Sequence, residues 1–262
     1  MNEKGKTLSV FTLLVYFFLI APLIIIGLTA FGESEFLKFP PGSFSLRWFI
    51  NVFQTEMFMN TFIISLKVAV ISTLLALIMG IPASYIISRG NFKHKRLVES
   101  FFLSPVLIPQ IVFGFSLFNF LIIKLKLPVF LSLLIGHTIF IIPYIIRVIS
   151  ANLENFDYEI EEAAVIFGAS PLKTFFIIVL PNISSGVIAS FILAFINSFN
   201  NVPISVFLTG PGISTLPIQM MSYVEYYFDP TVAALSVLLM LMTTVLMFII
   251  ERSLGLNYFV EN

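Results

Sequence analysis

Cysteine is absent from the 262 residues, so disulfides and thiolate metal sites are excluded. Charge is scarce as well. The fourteen basic and fourteen acidic residues make up 11% of the chain, against about 25% in a soluble domain. A chain this poor in charge cannot cover its own surface in water, which excludes a soluble enzyme and a disordered linker. Neither sign is in excess, so the basic footprint of a nucleic-acid binder is missing too. Strand-length alternation is not seen, which disfavours a β-barrel. A P-loop needs two glycines ahead of its Lys-Thr pair. The one superficial candidate, Lys173-Thr174, has Phe167 and Leu172 at those positions. Neither H-E-x-x-H nor G-x-S-x-G occurs. The chain is therefore not expected to be an enzyme, nor to bind a cofactor or metal itself.

What is present is apolar: 58% of residues are hydrophobic and the mean hydropathy is +1.03. About 20 apolar residues cross the hydrocarbon core as a helix. Six stretches qualify, at 8–31, 59–88, 101–123, 127–150, 183–208 and 231–250. The expected fold is an all-α integral membrane protein, with residues 1–262 forming one domain. The first stretch is too long for a signal-peptide core and no A-x-A site follows it, so it reads as an uncleaved anchor. With the N-terminus placed in the cytoplasm, Lys4, Lys6, Arg89, Lys93, Lys95, Arg96, Arg147, Lys173 and Arg252 lie inside. Lys38, Arg47, Lys124 and Lys126 lie outside. That asymmetry obeys the positive-inside rule. Six spans also bring the C-terminus inside.

The cytoplasmic segment 151–182 carries five acids: Glu154, Asp157, Glu159, Glu161 and Glu162. Acids ahead of the run Ala163 to Phe167 favour a helix N-terminus. Gly168 can take the left-handed conformation that ends a helix. Ser170 then offers an N-cap oxygen, and Pro171 suits the first position of a second helix running to about residue 179. The pattern predicts a helix–break–helix at the membrane surface. Physics alone leaves two roles open, a connector without a partner and an element that docks into a partner's groove.

Polar residues inside the spans are the other candidates, because such groups are costly unless they face protein or water. Asn197 and Asn201 are four apart and share a helical face with Asn200. That stripe suits an interhelical seam or a solute path, and Pro203 should free a carbonyl nearby. Pro105, Pro109, Gln110, Gly114 and Asn119 in the third span predict a kink, as a gate or as simple bending. Lys67 is within snorkelling reach of the outer interface. His137 reads as a packing or hydrogen-bonding residue rather than a metal ligand. In the outer segment 209–230, Tyr223, Tyr226, Tyr227 and Phe228 form a candidate interfacial belt. With Glu225 and Asp229 they could also contact an external protein.

The order Glu162-Ala163-Ala164, three residues, Gly168, nine residues, Ile178-x-Leu180-Pro181 resembles the EAA loop of ABC importer permeases, E-A-A-x3-G-x9-I-x-L-P, at every position. The likeness extends over about residues 60–250. It implies a type I importer permease with six transmembrane helices, whose coupling helix lies between the fourth and fifth. It also implies a bacterial inner-membrane location, two copies of a cytoplasmic ATPase subunit that holds ATP and Mg, a second related permease chain, and an external solute-binding protein. By position, Glu162, Ala163 and Ala164 would meet the ATPase, Gly168 would make the turn, and Leu180 and Pro181 would anchor the second helix to span five, with Ile178 in the same coupling set. The runs F-I-N-S-F-N-N-V-P-I-S-V-F-L-T-G-P-G and F-D-P-T-V-A-A-L-S are similar to permeases of the spermidine/putrescine branch, which suggests a polyamine as solute. The pair at Asn200-Asn201 is often acidic in that branch and is an amide pair here. Sister branches carry phosphonates or ferric iron, so another small solute is the alternative. A secondary transporter is the competing class, but it would typically place acids within the spans, and none lies well inside them here.

Overall fold

The computed structural model describes residues 3–36, 38–227 and 229–254, with the side chains of 3–7, 250, 253 and 254 excepted. Phe228 of the candidate belt lies outside the described residues, as do the side chains of Lys4 and Lys6. The described chain is helical, with only isolated β-bridges at Gly32–Phe44 and Gly210–Ile213. The helices are α1 (Glu3–Ala30), α2 (Arg47–Gln54), α3 (Glu56–Arg89), α4 (Lys95–Leu107), α5 (Gln110–Lys124) and α6 (Val129–Asn155). After them come α7 (Tyr158–Ile166), α8 (Pro171–Asn182), α9 (Ser184–Phe199), α10 (Ser205–Leu208), α11 (Leu216–Tyr226) and α12 (Thr231–Leu254).

Four helices are long and apolar enough to span a bilayer unbroken: Leu8–Ala30 within α1, then α3, α6, and Thr231–Ile249 within α12. Two further stretches are broken pairs. Helices α4 and α5 meet at 98°, and α8 and α9 at 71°. With each pair counted once the total is six, but the third and fifth spans are not the straight rods their hydropathy suggested. At the first break, Ile108 is extended before Pro109 (ψ 135°). The proline ring forbids the preceding residue the helical region. The predicted kink is therefore a full corner. Pro105, by contrast, sits buried inside α4 without ending it.

The residues fall into two compact units. One comprises residues 1–60 and 219–244. In it the Trp48 indole donates to the Gly32 carbonyl at 2.7 Å, and Asn51 donates to the Thr231 hydroxyl at 2.8 Å. The apolar stretch of α1 is exposed from Leu8 to Ile25, with Ala21 half-buried, as expected of a surface solvated by lipid, and turns buried at Thr29 and Ala30. The other unit comprises residues 61–218 and 245–262. Its centre is α6, whose Leu133, Phe140, Ile141, Ile145, Ile149 and Leu153 are fully buried. Helix α9 packs most extensively against α6.

Candidate functional site

The segment after α6 folds as a helix, a left-handed turn and a second helix. Asp157 caps α7, its carboxylate accepting the Glu159 amide at 2.9 Å. Glu159 and Glu161 lie in the first turn, where the helix dipole favours them. At the other end Gly168 has φ +92°. Its amide reaches the Val165 carbonyl at 2.9 Å, and the Ala169 amide reaches Ala164 at 3.0 Å. This pair of bonds is a Schellman motif, and it requires a left-handed residue at Gly168. A Cβ there would meet nothing within 4 Å, so the glycine serves conformation and not space. Ser170 caps α8 by accepting the Lys173 amide at 3.3 Å, with Pro171 first in the helix. The second helix is longer than expected. It passes through a π-helical stretch, Phe175–Val179, to Asn182 before the bend into α9.

Burial sorts the predicted coupling residues. Glu162 and Ala163 are exposed and Ala164 is half-buried. The tip beyond them is apolar and exposed: Ile166 at 82% and Phe167 at 91%, with Leu172 close behind. An open groove of about 550 Å³ runs beside it, lined by Tyr158, Glu162, Val165, Ile166, Pro171 and Thr174, with Tyr85 and Glu161 at its inner side. The expected anchors are only partly so. Ile178 and Leu180 are half-buried and Pro181 is exposed, while Phe175, Val179 and Ile183 carry the buried contact.

Sequence reading missed three residues here. Glu161, 3% exposed, turns inward while its neighbour Glu162 turns out. Its carboxylate accepts the Tyr85 hydroxyl at 2.9 Å and Arg89 Nε at 2.9 Å. Arg89 Nη2 also donates to the Phe156 carbonyl at 2.9 Å, and the guanidinium lies 5.1 Å from the Tyr158 ring centroid. Tyr85 and Arg89 are four apart on the last turn of α3, a spacing that puts both on one face. That pair, opposite a doubled glutamate in the loop, was the available signal.

The expected polar stripe of span five is corrected. Helix α9 stops at Phe199, so only Asn197 is helical, and its amide is spent on the Leu193 carbonyl at 2.8 Å. Asn200 is the exposed C-cap residue. Asn201, 5% exposed, holds the break itself: its Oδ1 accepts the amide of Ile204, the residue just before α10, at 2.9 Å. Its Nδ2 reaches Gln110 Oε1 at 3.4 Å. The break competes with the stripe because Pro203 lacks an amide and disfavours a helical residue before it. Gly114 of α5 accommodates the break: a Cβ there would sit 2.8 Å from the Pro203 carbonyl. His137 of α6 spans the break, hydrogen-bonding Ser198 at 2.8 Å and Ser205 at 3.1 Å. It is the buried hydrogen-bonding residue expected from sequence.

The candidate belt is also revised. Tyr223 is buried, stacked on Tyr227 at 4.5 Å between ring centroids and donating to Asp229 at 2.7 Å. Asp229 in turn accepts the Thr231 amide at 2.8 Å. Burial first, and the bond to Asp229 second, push the Tyr223 phenol up to about 12. Tyr226 and Tyr227 remain exposed. Lys67 is exposed on α3.

Residues 72–255 match the family described as "Binding-protein-dependent transport system inner membrane component". The chain belongs to that family. It is a membrane permease subunit of the ABC importer class, in which ATP hydrolysis falls to a separate subunit. Permeases of this family work with that ATPase and with a solute-binding protein. The putrescine transport system permease protein PotI of Escherichia coli K12 is 32% identical over 88% of this chain and 84% of its own length. The spermidine/putrescine permease protein PotC of the same strain is 30% identical over 88% of each chain. Among solved structures, a bacterial ABC transporter involved in import of the acidic polysaccharide alginate superposes with a TM-score of 0.72. It covers 96% of this chain and 98% of its own at 14% identity, and so bears on the fold alone.

Proposed function

We propose that this permease imports a polyamine, putrescine or spermidine, handed over by an external binding protein. The observation that carries the reading is the identity of 30–32% to two polyamine permeases over 88% of the chain. Residues 1–262 act as one permease domain beside a second, related permease chain, with both termini in the cytoplasm. Two ATPase subunits bind ATP and Mg below. The tip formed by Ile166 and Phe167 enters an apolar cleft of the ATPase, and Glu162 and Ala163 meet its rim. Glu162 accepts from a basic group there, and Ala163 and Ala164 allow close approach. Closure of the ATPase dimer on ATP drives α7 inward, opens the pore outward to receive solute, and hydrolysis resets it.

In the pathway, the exposed Asn200 offers its amide oxygen to an ammonium, while Asn197 and Asn201, whose amides are engaged by backbone, shape the break beside it. One observation favours a second reading. A polycation gains most from carboxylates, and this break carries amides instead. Another small solute in the same importer class is that reading.

The test is uptake by the complete importer in proteoliposomes. Labelled putrescine or spermidine should accumulate only with internal ATP and the external binding protein. Accumulation of a phosphonate or ferric iron, with neither polyamine taken up, would replace the polyamine by the second reading.

A further inference from the structure

The paired glutamates of α7 do different jobs, and the structure assigns to Glu161 a positioning role: with Arg89 and Tyr85 it latches the coupling helix to the end of α3. The inference rests on the reading of α7 as the ATPase-docking element.

The covalent route from α7 into the membrane runs through the left-handed turn, along α8 and its π-helical stretch, and round the 71° bend into α9. The route through Glu161 is short and largely buried, at the inner side of the groove. The Arg89 and Glu161 side chains are 16% and 4% exposed, so solvent does little to screen the pair. Both Glu161 oxygens are engaged, one by Arg89 Nε and the other by the Tyr85 hydroxyl. Charge-assisted bonds of this kind are short and directional.

Arg89 serves three elements at once. It ends α3, takes the Phe156 carbonyl at the C-cap of α6, and holds Glu161 of α7. A cation at that point also answers the negative ends of α3 and α6. Tyr85 is fixed in turn by an edge contact to Phe175 of α8, 5.0 Å between ring centroids. A push on the exposed face of α7 therefore reaches α3 without passing along the chain. A connector serving only to close the chain needs no buried ion pair, and breaking one by removing a partner is costly.

The chain has no cysteine, so a cysteine placed at Glu159, exposed on α7 away from the docking tip, carries a nitroxide with no competing site in this chain. In the assembled four-subunit importer, Glu161→Gln and Tyr85→Phe should each raise the mobility of that nitroxide. They should also lower the stimulation of ATP hydrolysis by the external binding protein by about threefold or more, the scale of one lost hydrogen bond. Basal hydrolysis should persist. The exchange Arg89→Glu with Glu161→Arg should restore part of the stimulation that Arg89→Glu alone abolishes. Unchanged mobility and stimulation in both single variants would overturn the latch. Should Phe167→Asp leave ATPase binding intact, the docking reading itself fails; Phe167→Asp blocking assembly while Glu161→Gln changes nothing sinks the latch alone.

Discussion

Glu161 and Glu162 are adjacent and chemically identical, yet one is buried in an ion pair and the other faces solvent. Nothing in a nine-residue helix announces which will turn inward, because the answer lies in Tyr85 and Arg89 more than 70 positions away. Gly168 was legible for the opposite reason: its conformation is a local demand. Gly168→Ala should cost about 1–2 kcal/mol through backbone conformation alone, since there is room for the methyl. Gly168→Asp in an assembled importer should leave ATP hydrolysis running while uptake falls about tenfold, equivalent to about 1.4 kcal/mol; undiminished uptake would contradict the role of the turn. Tyr223 gives a pH prediction. Its folded-state value, about 12, lies above the ordinary 10, so its protonated, hydrogen-bonded form stabilises fully below about pH 10. That contribution fades as pH rises toward 12. Thermal melting of the detergent-solubilised protein should fall less steeply above pH 10 in Tyr223→Phe than in the parent.

At the level of elements, the turn after α7 and the start of α8 were readable from Gly168, Ser170 and Pro171, because each acts on the backbone within four residues of itself. Ser170→Ala should weaken the start of α8 by about 1 kcal/mol, seen as faster hydrogen exchange at the Lys173 amide. The corners were not readable. Hydropathy reports that a segment prefers lipid, and it is blind to direction. Pro105 and Pro109 look alike in sequence, yet only the second stands at a corner. Span five broke for a tertiary reason as well: Gly114 of α5 makes room for the Pro203 carbonyl, and His137 holds the serines on either side. His137→Leu should strand two buried hydroxyls, at about 1–3 kcal/mol for each polar group left unpaired. The measurement is the melting temperature of the purified permease, expected to drop by several degrees.

For the whole molecule, the class was legible because scarcity of charge admits so few solutions. A six-span count held, although two of the six are bent pairs. Fold agreement at 14% identity with the alginate importer structure reflects the same economy: helix lengths are set by the bilayer and not by particular side chains. Replacing both Ile166 and Phe167 by Asp should abolish co-purification with the ATPase subunit while membrane insertion is unaffected. Retained co-purification would move the docking surface elsewhere.

The exposed apolar stretch of α1 has a consequence of another kind. Its 23 residues, Leu8–Ala30, measure about 35 Å at 1.5 Å per residue, against about 30 Å of hydrocarbon. A rod longer than its solvent must lean, or the solvent must swell around it. Bilayer thickness is thus a variable to which this permease is mechanically coupled: lipids of longer chain relieve the mismatch and those of shorter chain increase it.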